Sequence, residues 1–346
     1  MSSFLSGTGD FFGLDIGTTA VRLVQLHAGS SPKALIKYAY VPLEGNIALS
    51  ESAADQAKLA QAVDKLVKHA SVSTKNVAVG IPSSRVFTTV ADVDRLPSGE
   101  LAKAIIYQAD SLIPTPLAES KMDWALIGDS PSDKSKQEIL LSSVPNSFVE
   151  KRLDMLESIG LNVIAFEPDN LAMARALAAP STSAQLLLDV GRRSTDLVVV
   201  LNDVPHLTRS IPTGVEAIVR AATQNLNVDE KQADQFVFKF GLSKNKLEGQ
   251  VFQAINSTID LLTVEVEKSI KFFQARYTGA KIDKIIVTGG ASVIPEFPLY
   301  VANKFSLNVE IGNAWQGVTY SRDRQNELLA ISNQFGVAVG LAERAG

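Results

Sequence analysis

The most constraining feature of this chain is a pattern written twice. Asp15-Ile-Gly17-Thr-Thr-Ala-Val-Arg-Leu-Val-Gln-Leu returns 174 residues later as Asp189-Val-Gly191-Arg-Arg-Ser-Thr-Asp-Leu-Val-Val-Val. In both copies an apolar run ends in aspartate, a glycine follows two residues on, a short polar turn intervenes, and an aliphatic run resumes. Each reads as a strand–turn–strand hairpin, the first from Phe12 with its second strand at Ala20–Leu26, the other built from Leu186–Val190 and Thr195–Leu201. The separation is half of a 346-residue chain, long enough for two domains, so the repeat predicts a duplicated α/β unit.

Physical chemistry gives such a pair a use. Glycine lets a turn bring its backbone N–H groups against phosphate oxygens, where a Cβ would collide. Thr18, Thr19, Ser194 and Thr195 add hydroxyl donors. An aspartate at each strand end repels phosphate directly and makes sense facing a hydrated Mg²⁺. One Asp-x-Gly alone is ordinary turn chemistry; two on facing domains would clamp one polyphosphate. A third element, Lys284-Ile-Ile-Val-Thr-Gly-Gly-Ala-Ser292, is a buried strand (Lys284–Thr288) delivering two glycines, over which an adenosine can lie flat.

Between the hairpins lie a third strand after the turn Gly29-Ser-Ser-Pro32, an amphipathic helix over Ala54–Ala70, and a buried strand Val77–Ile81 stopped by Pro82. From Ser84 to Phe166 the pattern reads as a separate α+β unit. It comprises strand Val86–Val93, a helix capped by Ser98 and running to Ile113, a strand near Trp124, and a polar loop at 128–137. Strand Ile139–Val144, a helix capped by Asn146 and running to Ser158, and strand Leu161–Phe166 complete it. After the second hairpin, helices are expected near Val215–Leu226, Asp229–Phe240 and within Leu247–Tyr277. Pro295 opens a helix to Phe305, and a final helix starts near Gln334.

Composition closes off other chemistries. The chain has no cysteine, which excludes disulfides, thiolate zinc sites and cysteine nucleophiles. Its three histidines, His27, His69 and His206, are far apart and outside any HExxH. A net charge of −4 and a pI near 5.6 speak against nucleic acid as partner. The first ten residues lack the basic and apolar regions of a secretory signal, and the apolar stretch at 186–201 is broken by four charges. A cytoplasmic protein without direct membrane insertion is expected.

The order of the hairpins Asp15–Leu26 and Asp189–Leu201, the Gly289-Gly290 turn and the final helix Phe335-Gly-Val-Ala-Val-Gly-Leu resembles the actin, Hsp70 and sugar-kinase ATPase superfamily. The inserted unit is similar to the extra subdomain of FtsA. Glu100-Leu-Ala-Lys-Ala-Ile-Ile-Tyr-Gln-Ala-Asp-Ser-Leu-Ile-Pro-Thr-Pro, Asp123-Trp, Glu167-Pro-Asp-Asn-Leu-Ala-Met-Ala-Arg-Ala and Val264-Glu-Val-Glu-Lys-Ser-Ile-Lys-Phe-Phe resemble the PilM family of type IV pilus assembly, over nearly the whole chain. The fold so implied is an actin/Hsp70-like two-domain α/β ATPase with an FtsA-type insert. Domain I begins over 1–83, the insert covers 84–166, domain I is rejoined over 167–185, domain II spans 186–325, and the C-terminal helix of 326–346 returns to domain I.

The resemblance implies ATP and Mg²⁺ as cofactors. Asp15 and Asp189 would face the hydrated ion, and Gly17, Thr18 and Thr19 with Gly191, Arg192, Arg193 and Ser194 would hold the phosphates. Arg22 stands where a phosphate-side lysine is usual, Gly214 precedes the nucleotide-side helix, Gly289, Gly290 and Ala291 flank the adenosine, and Glu216 reaches the ribose. Glu167 matches a carboxylate that orients the attacking water in relatives, with a structural carboxylate as its alternative. Two departures, Val215 in place of a second glycine and Val237 in place of an adenine-side lysine, imply slow or absent turnover. The nearest base, Lys239, is two residues on and so about 200° around a helix.

The implied partner is the cytoplasmic N-terminal peptide of a single-span PilN-type membrane protein, taken by a groove at the insert, with other pilus assembly components beyond it. The protein would then sit at the inner face of the cytoplasmic membrane through that partner, since its short polar tail differs from the amphipathic helix that ends FtsA. Two other classes remain: a small-molecule kinase of the same superfamily and an FtsA-like filament former.

Overall fold

The computed structural model describes residues 10–344 apart from 28, 30 and 31. The first nine residues, part of the turn before Pro32 and the last two residues of the tail, all read above from sequence, lie outside the described residues.

The first lobe starts with β1 (Phe12–Ile16) and β2 (Ala20–Leu26), an antiparallel hairpin that sets Asp15 opposite Arg22. β3 (Lys33–Pro42) extends it antiparallel to β2. α1 (Ala53–Ala70) begins where the Ser52 side chain accepts from the Asp55 N–H, and ends with Ser71 in left-handed conformation. Its buried Leu59, Ala60, Val63, Leu66 and Ala70 fall at spacings of one, three, three and four residues, one stripe laid on the sheet. β4 (Asn76–Ile81) then runs parallel to β1.

The chain leaves this lobe for β5 (Phe87–Asp94), α2 (Ser98–Leu112), β6 (Ser120–Asp129) and β7 (Lys136–Pro145). These make an antiparallel sheet in the order β5-β7-β6, with Leu101, Ile105 and Ala109 of α2 packed on Ile139 and Leu141. The return is through α3 (Asn146–Ser158), β8 (Asn162–Pro168) and α4 (Asp169–Leu177).

The second lobe repeats the first. β9 (Ala184–Val190), β10 (Thr195–Leu201) and β11 (Val204–Ile211) form an antiparallel meander. α5 (Val215–Leu226), α6 (Glu230–Phe240) and the 27-residue α7 (Gln250–Arg276) cover it. β12 (Ile282–Thr288) runs parallel to β9, and after α8 (Phe297–Phe305) β13 (Asn308–Ile311) runs parallel to β12. The chain closes with β14 (Val318–Thr319) on the edge of β3, α9 (Gln325–Ile331) and α10 (Gly336–Glu343). The strand orders β14-β3-β2-β1-β4-β8 and β11-β10-β9-β12-β13 match in sequence and sense once β14 is set aside. α4 and α10 are buried between the sheets, with Met173, Leu177 and Val339 meeting Val24 on one side and Leu187 and Val198 on the other.

Several expectations shift. β8, expected in the insert, is hydrogen-bonded to β4 in the first lobe, and α3 packs beside it against α1. The insert proper is therefore the three-stranded unit ending at Pro145. The expected second domain also ends early: Val318 and Thr319 already pair with Lys33 and Ala34 of β3, before residue 325. Prolines, rather than polar side chains, stand at two helix starts: Pro97 and Pro145 occupy the cap positions, and Asn146 uses its amide to donate to Ala118 O at 3.0 Å. Pro298, not Pro295, lies in the first turn of α8. β11, β13 and β14 were not expected from the sequence.

Candidate functional site

The hairpin turns do face each other. Gly17, Thr18 and Thr19 from the first and Arg192, Arg193 and Ser194 from the second line one cleft of about 950 Å³ between the lobes. Gly289 and Gly290, at the end of β12, line it too. Among the described residues, no acceptor engages the backbone N–H of Thr18, Thr19, Arg192 or Arg193. Both turns thus present unspent donors to the same space.

Gly289 shows why glycine is needed there. Its φ is +77°, and a Cβ would run into Asp189 Oδ1 and the Val190 carbonyl. The turn is held from behind by Asn333: the Gly289 N–H donates to Asn333 O at 2.9 Å, and Asn333 Nδ2 donates to Ser292 Oγ at 2.7 Å. Gly214 serves the second turn differently. A Cβ on it would strike the Gly191 and Arg192 carbonyls, so its absence lets α5 dock on the turn. The Val215 and Glu216 N–H groups then donate to those same carbonyls at 2.9 and 2.8 Å. The start of α5 is spent on holding the turn.

The floor is acidic. Asp15, Asp169, Asp189 and Asp196 all line the cleft. Asp15 is buried and takes a hydrogen bond from Arg22 at 3.3 Å; desolvation still pushes its carboxyl up, against the pull of that guanidinium. Asp189 is pushed to about 7 by desolvation and by the like charges of Asp196 and Asp15. Desolvation raises Asp196 to about 6. Asp169 rises well above the ordinary range through desolvation, then through Asp15, Asp196 and Asp189. Oδ1 of Asp169 and of Asp196 are buried without a partner among the described residues. Four carboxylates with so little compensation make a site that gains from an arriving cation.

Other expected residues stand elsewhere. Gly191 and Ala291 support the turns without lining the cleft. The Glu216 carboxylate is outside its lining, paired with Arg193 at 3.5 Å and Arg220 at 3.3 Å. Arg192 reaches the cleft but is already bound to Asp234 at 2.7 Å and Glu230 at 3.4 Å on α6. Glu167 is the clear correction. It is buried outside the cleft lining, gripped by both terminal guanidinium nitrogens of Arg175 and by Arg344 Nη1 at 3.0 Å. A carboxylate fixed there cannot orient water in the cleft. Asp169, two residues on, lines the cleft, and the one sequence signal for it is its place in the Glu-Pro-Asp-Asn run.

The model of the family described as "Type IV pilus assembly protein PilM" matches residues 13–345. The chain is similar to the structure of a PilM-PilN type IV pilus biogenesis complex, at 24% identity and a TM-score of 0.83, covering 97% of this chain and 98% of that one. It is similar to the ethanolamine utilization protein EutJ from Carboxydothermus hydrogenoformans at 14% identity and a TM-score of 0.57, covering 97% and 90%. It is also similar to MreB 5 of Spiroplasma citri, solved bound to AMPPNP, at 13% identity and a TM-score of 0.51, covering 96% and 95%. At these identities the likeness establishes an actin-like fold. No helix among the described residues is long and apolar enough to cross a membrane.

Proposed function

The chain belongs to the family of the type IV pilus assembly protein PilM, and on that footing we propose that it binds ATP with Mg²⁺ between its lobes and presents its insert to the N-terminal peptide of a PilN-type membrane protein. The observation that carries the nucleotide half is the convergence of two matching turns and the Gly289 turn on one cleft floored by under-compensated aspartates. A cleft of about 950 Å³ is of the size that holds a nucleotide. Thr18, Thr19, Ser194 and the free turn N–H groups would hold the phosphates; Asp15 and Asp189 would hold the hydrated ion, which supplies the positive charge the floor lacks. With Glu167 fixed by two arginines, the reading includes at most slow hydrolysis.

The peptide half rests on the family and on how the insert is mounted. Its root is apolar, Ile81, Val144 and Phe148 in one cluster, with Arg85 and Arg152 over the Phe148 ring. Its other flank leans on the second lobe, where Arg276 donates to Glu138 at 2.7 Å and Asp92 at 2.8 Å, and the Tyr277 hydroxyl also reaches Glu138. A module fixed on two sides can bind an extended peptide without rearranging first. Through that partner the protein would work at the inner face of the cytoplasmic membrane.

Calorimetry with ATP in the presence of Mg²⁺ tests the nucleotide half: saturable heat is expected, and its absence overturns it. Anisotropy of a labelled PilN-type N-terminal peptide tests the other. A dissociation constant of roughly nanomolar to micromolar is expected, persisting in Asp189→Asn. No binding to the native chain sinks that assignment.

A further inference from the structure

The insert carries an acidic notch that the second lobe completes. Asp92 of β5 and Glu138 of β7 are direct partners across the ladder. They lie on the sheet face opposite the one where Ala91, Val93, Ile139 and Leu141 pack with α2. Like charges directly opposite each other destabilise a sheet, and Glu138 is only 1% exposed. Among the described residues, the one cation ion-paired with either acid is Arg276, at the end of α7 in the second lobe. Its guanidinium spans both carboxylates, and Tyr277 adds its hydroxyl to Glu138 at 3.1 Å.

This joint is unlike the apolar root of the insert at Ile81, Val144 and Phe148. It is polar and incompletely filled. A cavity of about 190 Å³ lies between Thr88, Val90 and Leu140 of the insert and His206, Leu207 and Phe273 of the second lobe. Packed interiors hold few voids of that size, and a polar contact beside one parts at lower cost than a close-packed one. The joint also adjoins the cleft between the lobes: Thr88 and Thr208 line the cleft and the cavity alike. From Thr88, β5 runs to Asp92, four residues on and on the same face. Arg209, also in the cleft lining, donates to Glu265 at 2.8 Å and to Ser269 at 3.0 Å on α7, the helix that ends in Arg276. Both halves of the clasp are thus mounted on elements that begin at the cleft.

We propose that the clasp of Arg276 on Asp92 and Glu138 is a latch that makes nucleotide and peptide binding interdependent. Nucleotide that draws the lobes together closes the latch, and the insert so held binds peptide more tightly. The inference rests on the function proposed above. A ligand shifts such an equilibrium only by its differential affinity for the two states, and the shift is reciprocal. The peptide therefore tightens ATP by the factor by which ATP tightens the peptide. Arg276, Asp92 and Glu138 set the position of the insert and touch neither ligand.

The experiment follows anisotropy of the labelled PilN-type N-terminal peptide on the full chain in excess Mg²⁺, with and without saturating ATP. Native protein should bind the peptide at least about fivefold more tightly with ATP, the lower end of ordinary coupling. Arg276→Met combined with Glu138→Gln removes the clasp without stranding a buried charge. Each ligand should still bind this double variant, with the gain reduced to within about twofold. Peptide affinity that is unchanged or weaker in ATP for the native chain overturns the latch, and so does a double variant that keeps the gain. Should the double variant fail to fold, Asp92→Asn decides, since Arg276 there retains its bond to buried Glu138. Part of the gain should go, and a gain equal to the native one overturns the proposal. Native protein that fails to bind ATP, or fails to bind the peptide, refutes instead the function on which the latch rests, and the latch falls with it.

Discussion

The two hairpins share register, yet they carry opposite charge logic. In the first, the residue across the ladder from Asp15 is Arg22. In the second, the residue across from Asp189 is Asp196. The first lobe therefore arrives with its strand-end acid compensated, while the second brings two like charges within the same partly dehydrated wall. A duplicated scaffold has been kept and the electrostatics of its hairpins divided: the first sets a guanidinium across from its acid, and the second sets another acid there. Substitution at the equivalent positions 22 and 196 should accordingly move stability in opposite directions.

The largest effect belongs to Arg22→Met. Both partners of the Arg22–Asp15 pair are mostly shielded, at 12% and 7% side-chain exposure. Removing one partner of a buried pair costs roughly 3–5 kcal/mol, because the survivor is left charged without compensation. Urea unfolding of the nucleotide-free protein at pH 8 should show that loss, smaller at pH 4.5 where Asp15 can take up a proton. A change below about 1 kcal/mol at pH 8 would mean the pair is an ordinary surface contact.

Asp196→Asn should do the reverse. Asp189 and Asp196 titrate near 7 and 6 in the folded chain against an ordinary value of 3.8. Folded protein thus holds protons that the unfolded chain has already lost between about pH 4 and those values, and stability falls as pH rises through this window. At about 1.4 kcal/mol per unit, the two-unit displacement of Asp196 amounts to about 3 kcal/mol as an upper figure. The variant should match the native chain near pH 4 and exceed it increasingly toward pH 8, without nucleotide. A variant less stable than native at pH 8 breaks the contrast between the lobes.

Glu167→Gln separates architecture from chemistry. Its carboxylate holds Arg175 and Arg344, and Arg175 Nη1 also donates to the Gly340 carbonyl at 2.6 Å, so the group ties β8 to α4 and α10. The arginines are 35% and 39% exposed, which limits the cost to about 1–2 kcal/mol. Thermal unfolding should register it while ATP affinity stays within twofold. A tenfold loss of affinity would return Glu167 to the cleft.

The hairpins and the Gly289 turn were legible in the sequence because their chemistry is local: an acid, a glycine and hydroxyls within a few residues. What was missed is non-local. β14 is two residues long and too short to show any alternation, and only its pairing with β3 makes it a strand. β8 reads the same whether it joins the insert or the first lobe; its ladder with β4 decides, and sequence spacing says nothing of ladders. Glu167 and Asp169 differ by the direction in which a strand end and a helix start throw their side chains. The first is held by Arg175 outside the cleft lining, and the second, two residues on, is part of that lining. Even the Arg22/Asp196 contrast stands at matching places in the quoted repeats, but it acquires meaning only once both side chains are seen across from an aspartate.

The smallest effect is the sharpest test of symmetry. Where charge differs between the lobes, the neutral donors do not: Thr18 and Ser194 each place a hydroxyl at the same cleft from equivalent turns. If one polyphosphate lies between them, Thr18→Ala and Ser194→Ala should each weaken ATP by roughly 0.5–1.5 kcal/mol, about 2- to 10-fold. Their double variant should show the product of the two, since hydroxyls on opposite lobes share no partner but the ligand. Calorimetry on the three proteins reads this directly. Loss with Thr18→Ala and none with Ser194→Ala would place the phosphates on the compensated lobe alone. Loss with Ser194→Ala only would place them on the acidic lobe, close to Asp189 and Asp196, where a triphosphate can remain only if a cation lies between.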